Sequence, residues 1–152
     1  MTWDVELRQA TTADLDLVHH VTEVSMRRYV EETWGVWDPV HQRRQIEQSY
    51  RPETHSILLV QGDAAGVLAV QEHPEHLQLE KIYLLPEYQG RGIGTRVVQG
   101  IQARAVELRL PLRLRVLAVN PVRRLYERLG FRVVRSTEER HFMEFIPPVE
   151  PD

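Results

Sequence analysis

The stretch PEYQGRGIGTR, Pro86 to Arg96, decides how the rest of the chain is read. Gly90, Gly92 and Gly94 alternate with other residues, and an apolar-periodic segment follows. Ile93, Val97, Val98, Ile101, Ala105 and Leu108 fall at helical spacing, which predicts a helix over Thr95–Glu107. Upstream, LQLEKIYLL reads as a strand, so the glycines sit between a strand and a helix. Bare amides at a helix N-terminus converge on one spot, and the helix dipole makes that spot positive. Arg91 and Arg96 stand beside it, and the loop suits a phosphate.

Two common phosphate loops do not fit. A dinucleotide fold asks for G-x-G-x-x-G near its first strand. Counted from Gly90, the last place is Thr95; counted from Gly92, it is Val97. A P-loop asks for Gly-Lys-Ser/Thr, which the chain lacks. What remains is Gln89-x-x-Gly92-x-Gly94, or a plain tight turn.

Working outward, VELRQA (Val5–Ala10) alternates like a strand. Thr11 and Asp14 form a helix-start pair. Leu17, Val18, Val21 and Val24 give a helical stripe toward Tyr29, broken by TWGVWDP. Asp38 and Pro39 read as N-cap and first residue of a second helix, Pro39–Ser49. SILLV, GVLAVQE and LQLEKIYLL read as strands joined by the turns QGDA and HPEH. After the glycine loop and its helix, Leu112–Val119 is a strand. NPVRRLYERLG is a short helix with Pro121 at its start and Gly130 as its C-cap. FRVVRS and HFMEFI close the fold, and 147–152 reads as a frayed tail. The expected architecture is α/β: one domain over 1–152, with a mixed, mostly antiparallel sheet of six to seven strands and four helices.

Composition bounds the function. The 152 residues suffice for one core, and 42% hydrophobic with 27% charged content reads as globular. No apolar run approaches the roughly 20 residues of a membrane span. MTWDVELRQA has no basic-then-apolar leader pattern. The absence of cysteine removes disulfides, thiolate metal sites and a cysteine acyl-enzyme, and fits a cytoplasmic protein. Net charge is −3, unevenly spread: residues 1–90 carry 15 acidic and 7 basic side chains, and residues 91–152 carry 7 acidic and 12 basic. That split suits an anionic ligand near the C-terminal half and a cationic one near the N-terminal half, or it is scattered surface charge. His73 and His76 flank a turn and read as surface residues; a metal site would need more ligands.

With these segments in place, the sequence resembles the GNAT superfamily of acetyl-CoA-dependent N-acetyltransferases. LEKIYLLPEYQGRGIGTRVV is similar to that family's fourth strand, Q/R-x-x-G-x-G/A loop and following helix. LRVLAVNPVRRLYERLGF is similar to its fifth strand and Tyr-bearing helix, and HFMEF to its closing strand. The resemblance implies that the amides of Gln89, Gly90, Arg91, Gly92, Ile93, Gly94 and Thr95 wrap the pyrophosphate of acetyl-CoA. It implies that the strand segment Ile82, Tyr83 and Leu84 meets the pantetheine arm and the thioester carbonyl. A backbone N–H there would stabilise the oxyanion. Tyr126 matches the family's usual acid for the departing thiolate. Its helical face also holds Val122 and Leu129, so a core aromatic is the alternative reading.

A neutral amine must attack, so a base or water chain must take its proton. Glu80 is a candidate base, or else a solvent-facing strand residue. Asn120 to Tyr126 spans six steps where the family usually shows seven, which bears on the expected contact of Asn120 with the cofactor. In this family the first two helices and their loop usually build the acceptor pocket. That region contains Tyr29, Glu32, Trp34 and Trp37, which could offer a cationic amine charge pairing and aromatic faces, or could simply pack the corner.

The expected activity is transfer of acetyl to a primary amine, of a small molecule, in a ternary complex, with no metal. The alternatives are a non-catalytic CoA-binding regulatory module and an acetyltransferase for a protein N-terminus or lysine. A nucleic-acid binder is disfavoured by the acidic balance and the lack of aromatic–basic interleaving along the chain. A homodimer is compatible with the family, but no residue demands one.

Overall fold

The computed structural model describes residues 4–149; the last part of the expected tail, 150–152, lies outside them. The strands are β1 (Val5–Gln9), β2 (His55–Val60), β3 (Asp63–Glu72), β4 (Leu77–Leu84), β5 (Leu112–Leu117), β6 (Arg132–Ser136) and β7 (Arg140–Phe145). The helices are α1 (Leu15–Trp34), α2 (Pro39–Ser49), α3 (Ile93–Leu108) and α4 (Arg123–Arg128). The seven strands form one sheet in the order β1-β2-β3-β4-β5-β7-β6. The β4–β5 pair is parallel, and β1–β2, β2–β3, β5–β7 and β6–β7 are antiparallel. The expected mixed, mostly antiparallel sheet with four helices is the observed one.

The chain falls into two compact units. One is the N-terminal stretch through Val70 together with Lys81–Ile93; the other is Gln71–Glu80 together with the chain from Gly94 onward.

In the first unit, α1 and α2 supply Val18, Val21 and Ile46 to a core shared with Ile57 and Val67 of the sheet. Removing side chains of this size from water is worth about 1.5–3 kcal/mol each. The caps are those the sequence predicts. Thr11 and Asp14 form a capping box, and Asp38 Oδ1 accepts from the N–H groups of Val40 and His41. The Arg8 guanidinium grips the Asp14 carboxylate at 3.0 Å and holds its pKa below the ordinary value.

Val24, expected in the buried stripe, is 42% exposed. The stripe continues instead through Ser25, which sits i+4 from Val21 and donates its hydroxyl to the Leu84 carbonyl at 3.0 Å. A polar residue on a buried face escapes a search for apolar periodicity.

The start of β2 hides a second polar device. His55 is 1% exposed; its Nδ1 lies 2.7 Å from the Arg51 carbonyl and its Nε2 lies 3.3 Å from the Lys81 ammonium. The Lys81 ammonium can only donate, so Nε2 accepts and Nδ1 carries the proton. Burial, aided by the Lys81 charge, pushes the imidazole pKa down. The unfolded chain therefore takes up this proton first, and the stability that neutral His55 contributes is lost as pH falls below the ordinary histidine range.

In the second unit, β5 alternates strictly at first: Leu112, Leu114 and Val116 are buried, and Arg113 and Arg115 are exposed. Phe131 and Phe145 meet at 5.8 Å, and the Gln102 side chain donates to the Leu129 carbonyl at 2.7 Å, tying α3 to the end of α4. His73 and His76 stack at 4.6 Å across the β3–β4 turn, which His73 N–H closes on the His76 carbonyl.

Several boundaries differ from expectation, and β3 begins at Asp63 rather than Gly66. β5 stops at Leu117, because Asn120 N–H closes a turn on the Leu117 carbonyl at 2.9 Å. α4 begins at Arg123 rather than Pro121, because Asn120 Oδ1 accepts from Val122 N–H and makes a separate turn first. α3 begins at Ile93, inside the glycine loop.

Candidate active site

The loop after β4 is a chain of short backbone bonds. Tyr88 N–H donates to the Leu85 carbonyl at 2.9 Å, and Gln89 N–H donates to the Pro86 carbonyl at 3.2 Å. The Gln89 side chain turns back and donates to the Leu84 carbonyl at 2.9 Å. Gln89 thus holds the loop entrance, and its amide already has a carbonyl partner. Gly90 and Gly92 then take φ of 72° and 78°, left-handed values that suit glycine. A Cβ at either position would meet nothing within 4 Å, so these glycines serve backbone direction and open space rather than close packing. The helix begins one residue later, and its first N–H groups have no partner within it. Alternating left-handed residues at a helix N-terminus form a concave array of amides suited to a phosphate oxygen. Gly90, Arg91, Gly92, Ile93, Gly94 and Thr95 supply the backbone amides of this stretch.

The end of β4 is fixed around one atom. The Leu84 carbonyl oxygen accepts from both Ser25 Oγ and Gln89 Nε2. Leu85 N–H donates to Ala65, and Gly66 lies so close that a Cβ would overlap the Tyr83 carbonyl. The Tyr83 side chain is half-buried and packs against the α1–α2 core. Ile82 and Leu84 are half-buried. Sequence reasoning missed Ser25 and the side-chain role of Gln89. The available signal was a serine where the α1 stripe calls for an apolar residue.

In the second unit, Tyr126 is buried on α4, with its ring 5.6 Å from Phe131 in an edge contact. Asn120 Oδ1 accepts from Val122 N–H at 3.0 Å, so that oxygen caps the turn before α4. Glu80 is exposed, directly after buried Leu79.

The expected acceptor residues divide. Trp37 is 4% exposed, and its Nε1 donates to Glu23 at 3.1 Å, so it packs the corner between α1 and α2. Trp34 is 45% exposed. Glu32 accepts from Arg28 Nε at 3.3 Å, and the same guanidinium lies 5.8 Å from the centre of the Tyr29 ring. Tyr29 and Glu32 therefore already hold one cation between a carboxylate and an aromatic ring.

No match emerges from comparison of the sequence with curated proteins. Among solved structures, the chain is similar to the PaiA N-acetyltransferase from Thermoplasma acidophilum, solved in complex with coenzyme A. The TM-score is 0.75 at 19% identity, over 94% of this chain and 99% of that one. It is also similar to the ribosomal-protein-S18-alanine N-acetyltransferase from Escherichia coli, with a TM-score of 0.71 at 18% identity over 98% and 97% of the two chains. An acetyltransferase from Thermus thermophilus gives 0.73 at 20% identity, over 96% and 97%. At these identities the likeness is one of fold. The sequence itself matches the model of the acetyltransferase (GNAT) family over residues 21–131, which is most of its length and spans the glycine loop and the Tyr126 helix. The chain belongs to the acetyltransferase (GNAT) family.

Proposed function

We propose that this acetyltransferase moves the acetyl group of acetyl-CoA to the primary amine of a small cationic molecule by direct attack. The observation that carries the cofactor half is the loop geometry: left-handed Gly90 and Gly92 opening α3, with Gln89 anchored to Leu84. Acetyl-CoA supplies the activated acyl group, and the protein orients it. The loop amides hold the pyrophosphate, and the backbone of Ile82, Tyr83 and Leu84 lies along the pantetheine arm. The two donors on the Leu84 carbonyl keep that segment from shifting, which matters because a donor must meet the oxyanion at about 2.7–3.1 Å. Asn120 contributes to the cofactor through atoms other than its capping oxygen. Tyr126 returns a proton to the thiolate, and Glu80 takes one from the attacking amine, directly or through water.

The acceptor half rests on Tyr29, Glu32 and Trp34. Arg28 shows that a carboxylate and a ring at this spacing hold a cation, and an ammonium acceptor would take the same two groups. Trp37 supports the corner from within.

The test is thiol release from acetyl-CoA across a panel of amines, with wild type beside Tyr126→Phe. Turnover on one amine class, slowed by about 100-fold or more in the variant with acetyl-CoA binding retained, supports the reaction and the acid. Calorimetric binding of acetyl-CoA without release on any amine would favour a non-catalytic module. Turnover only on protein N-termini or lysines would move the acceptor to proteins.

A further inference from the structure

The two faces of the β5–β7–β6 sheet differ. One face carries Leu112, Leu114, Val116 and Met143, all buried. On the other face the registers align side chains into rows across the three strands. Arg113 of β5 and Arg132 of β6 both stand opposite Glu144 of β7. Arg115 and Arg135 both stand opposite Phe142. All four arginines are exposed.

The second row exists only because β6 is irregular. Arg132 and Arg135 are three residues apart and in a regular strand would point to opposite faces. The register shift between Val133 and Arg135 makes Val134 an extra residue and returns Arg135 to the face of Arg132. Basic and aromatic side chains that are distant along the chain are thus brought together across strands.

The rows show how they bind. Arg113 Nε donates to Glu144 at 2.8 Å, so this face already recognises a carboxylate. The Arg135 guanidinium lies 4.0 Å from the Phe142 ring centre, which holds its planar fork in place at little further entropic cost. Successive rows are about 7 Å apart along the strand, the distance between alternate side chains of any extended peptide.

We infer that this arginine-lined face docks a short acidic segment of a partner protein, with alternate carboxylates meeting successive rows. A nucleic acid is the weaker fit. Arg135 covers the Phe142 ring face on which a base would stack. The chain's net charge of −3, with the acidic excess in residues 1–90, repels a long polyanion more than a short one.

The experiment is fluorescence anisotropy of a labelled octaglutamate peptide, with octaglutamine and an oligothymidylate of the same length alongside, using the full chain. Binding of octaglutamate alone, weakening with salt, is expected. Replacing two exposed arginines, as Arg115→Gln with Arg135→Gln, should lower affinity by about ten-fold. Arg113→Gln with Arg132→Gln should do the same, and Arg44→Gln on α2 should leave it within about two-fold. Equal binding of octaglutamine, tighter binding of oligothymidylate, or row variants that bind like Arg44→Gln would each overturn the assignment.

Discussion

The glycine loop and the α1–α2 corner are both drawn as binding elements, yet they are made of different material. The loop is backbone. Its proposed function rests on left-handed Gly90 and Gly92 and on a helix that begins at Ile93. The corner is side chain. Tyr29 and Glu32 hold Arg28, Trp37 turns inward to Glu23, and Trp34 stays partly exposed. Glycine spacing reports what a backbone can do, because positive φ is a local property. Which way an indole points depends on a helix packed 14 residues away in the chain, as the Trp37–Glu23 bond shows.

The largest effect should come from Gly92→Val. A β-branched residue at φ 78° is strained whatever the space around it, at a cost of about 1–2 kcal/mol, and so pulls the loop backbone out of its shape. CoA affinity by calorimetry should fall by about 10- to 100-fold, while Gly92→Asn, which tolerates this conformation, recovers part of the loss. Unchanged affinity in the valine variant would break the comparison, since the loop would then not be a backbone cradle.

A middle-sized effect belongs to Ser25→Ala. It removes one of two donors to the Leu84 carbonyl and should lower unfolding free energy by about 1 kcal/mol in a urea melt. Gln89→Ala removes the other donor and should raise the KM for acetyl-CoA more than Ser25→Ala does, because Gln89 also sets the loop entrance. Equal kinetic effects from the two would reduce Gln89 to a structural prop.

The element order, the caps at Thr11 and Asp38, the hairpin turns and the glycine loop were legible because each rests on local chemistry. Asp38 caps its own helix, and Pro39 can only start one. What was illegible depends on registers and packing. Ser25 replaces an apolar residue on a buried face only because the Leu84 carbonyl waits there. The packing of the Tyr83 side chain against the α1–α2 core likewise depends on tertiary contacts that its strand position does not reveal. The arginine rows needed the β6 irregularity, which no spacing in RVVRS announces.

The smallest effect on stability, and the sharpest test of the corner, is Glu32→Gln. Its pair with Arg28 is an exposed i,i+4 contact with side chains 79% and 45% accessible, so the melting temperature should barely move; such pairs are worth about 0.3–0.5 kcal/mol. If the pair of Tyr29 and Glu32 receives the acceptor's ammonium, removing the charge should raise the KM for a cationic amine several-fold with kcat nearly constant, because ground state and transition state lose the same contact. Tyr29→Leu should act in the same direction, and a neutral amine should be indifferent to both. A KM that ignores Glu32→Gln would leave the corner a packed helix turn with a surface ion pair, and the acceptor would have to be sought on other residues.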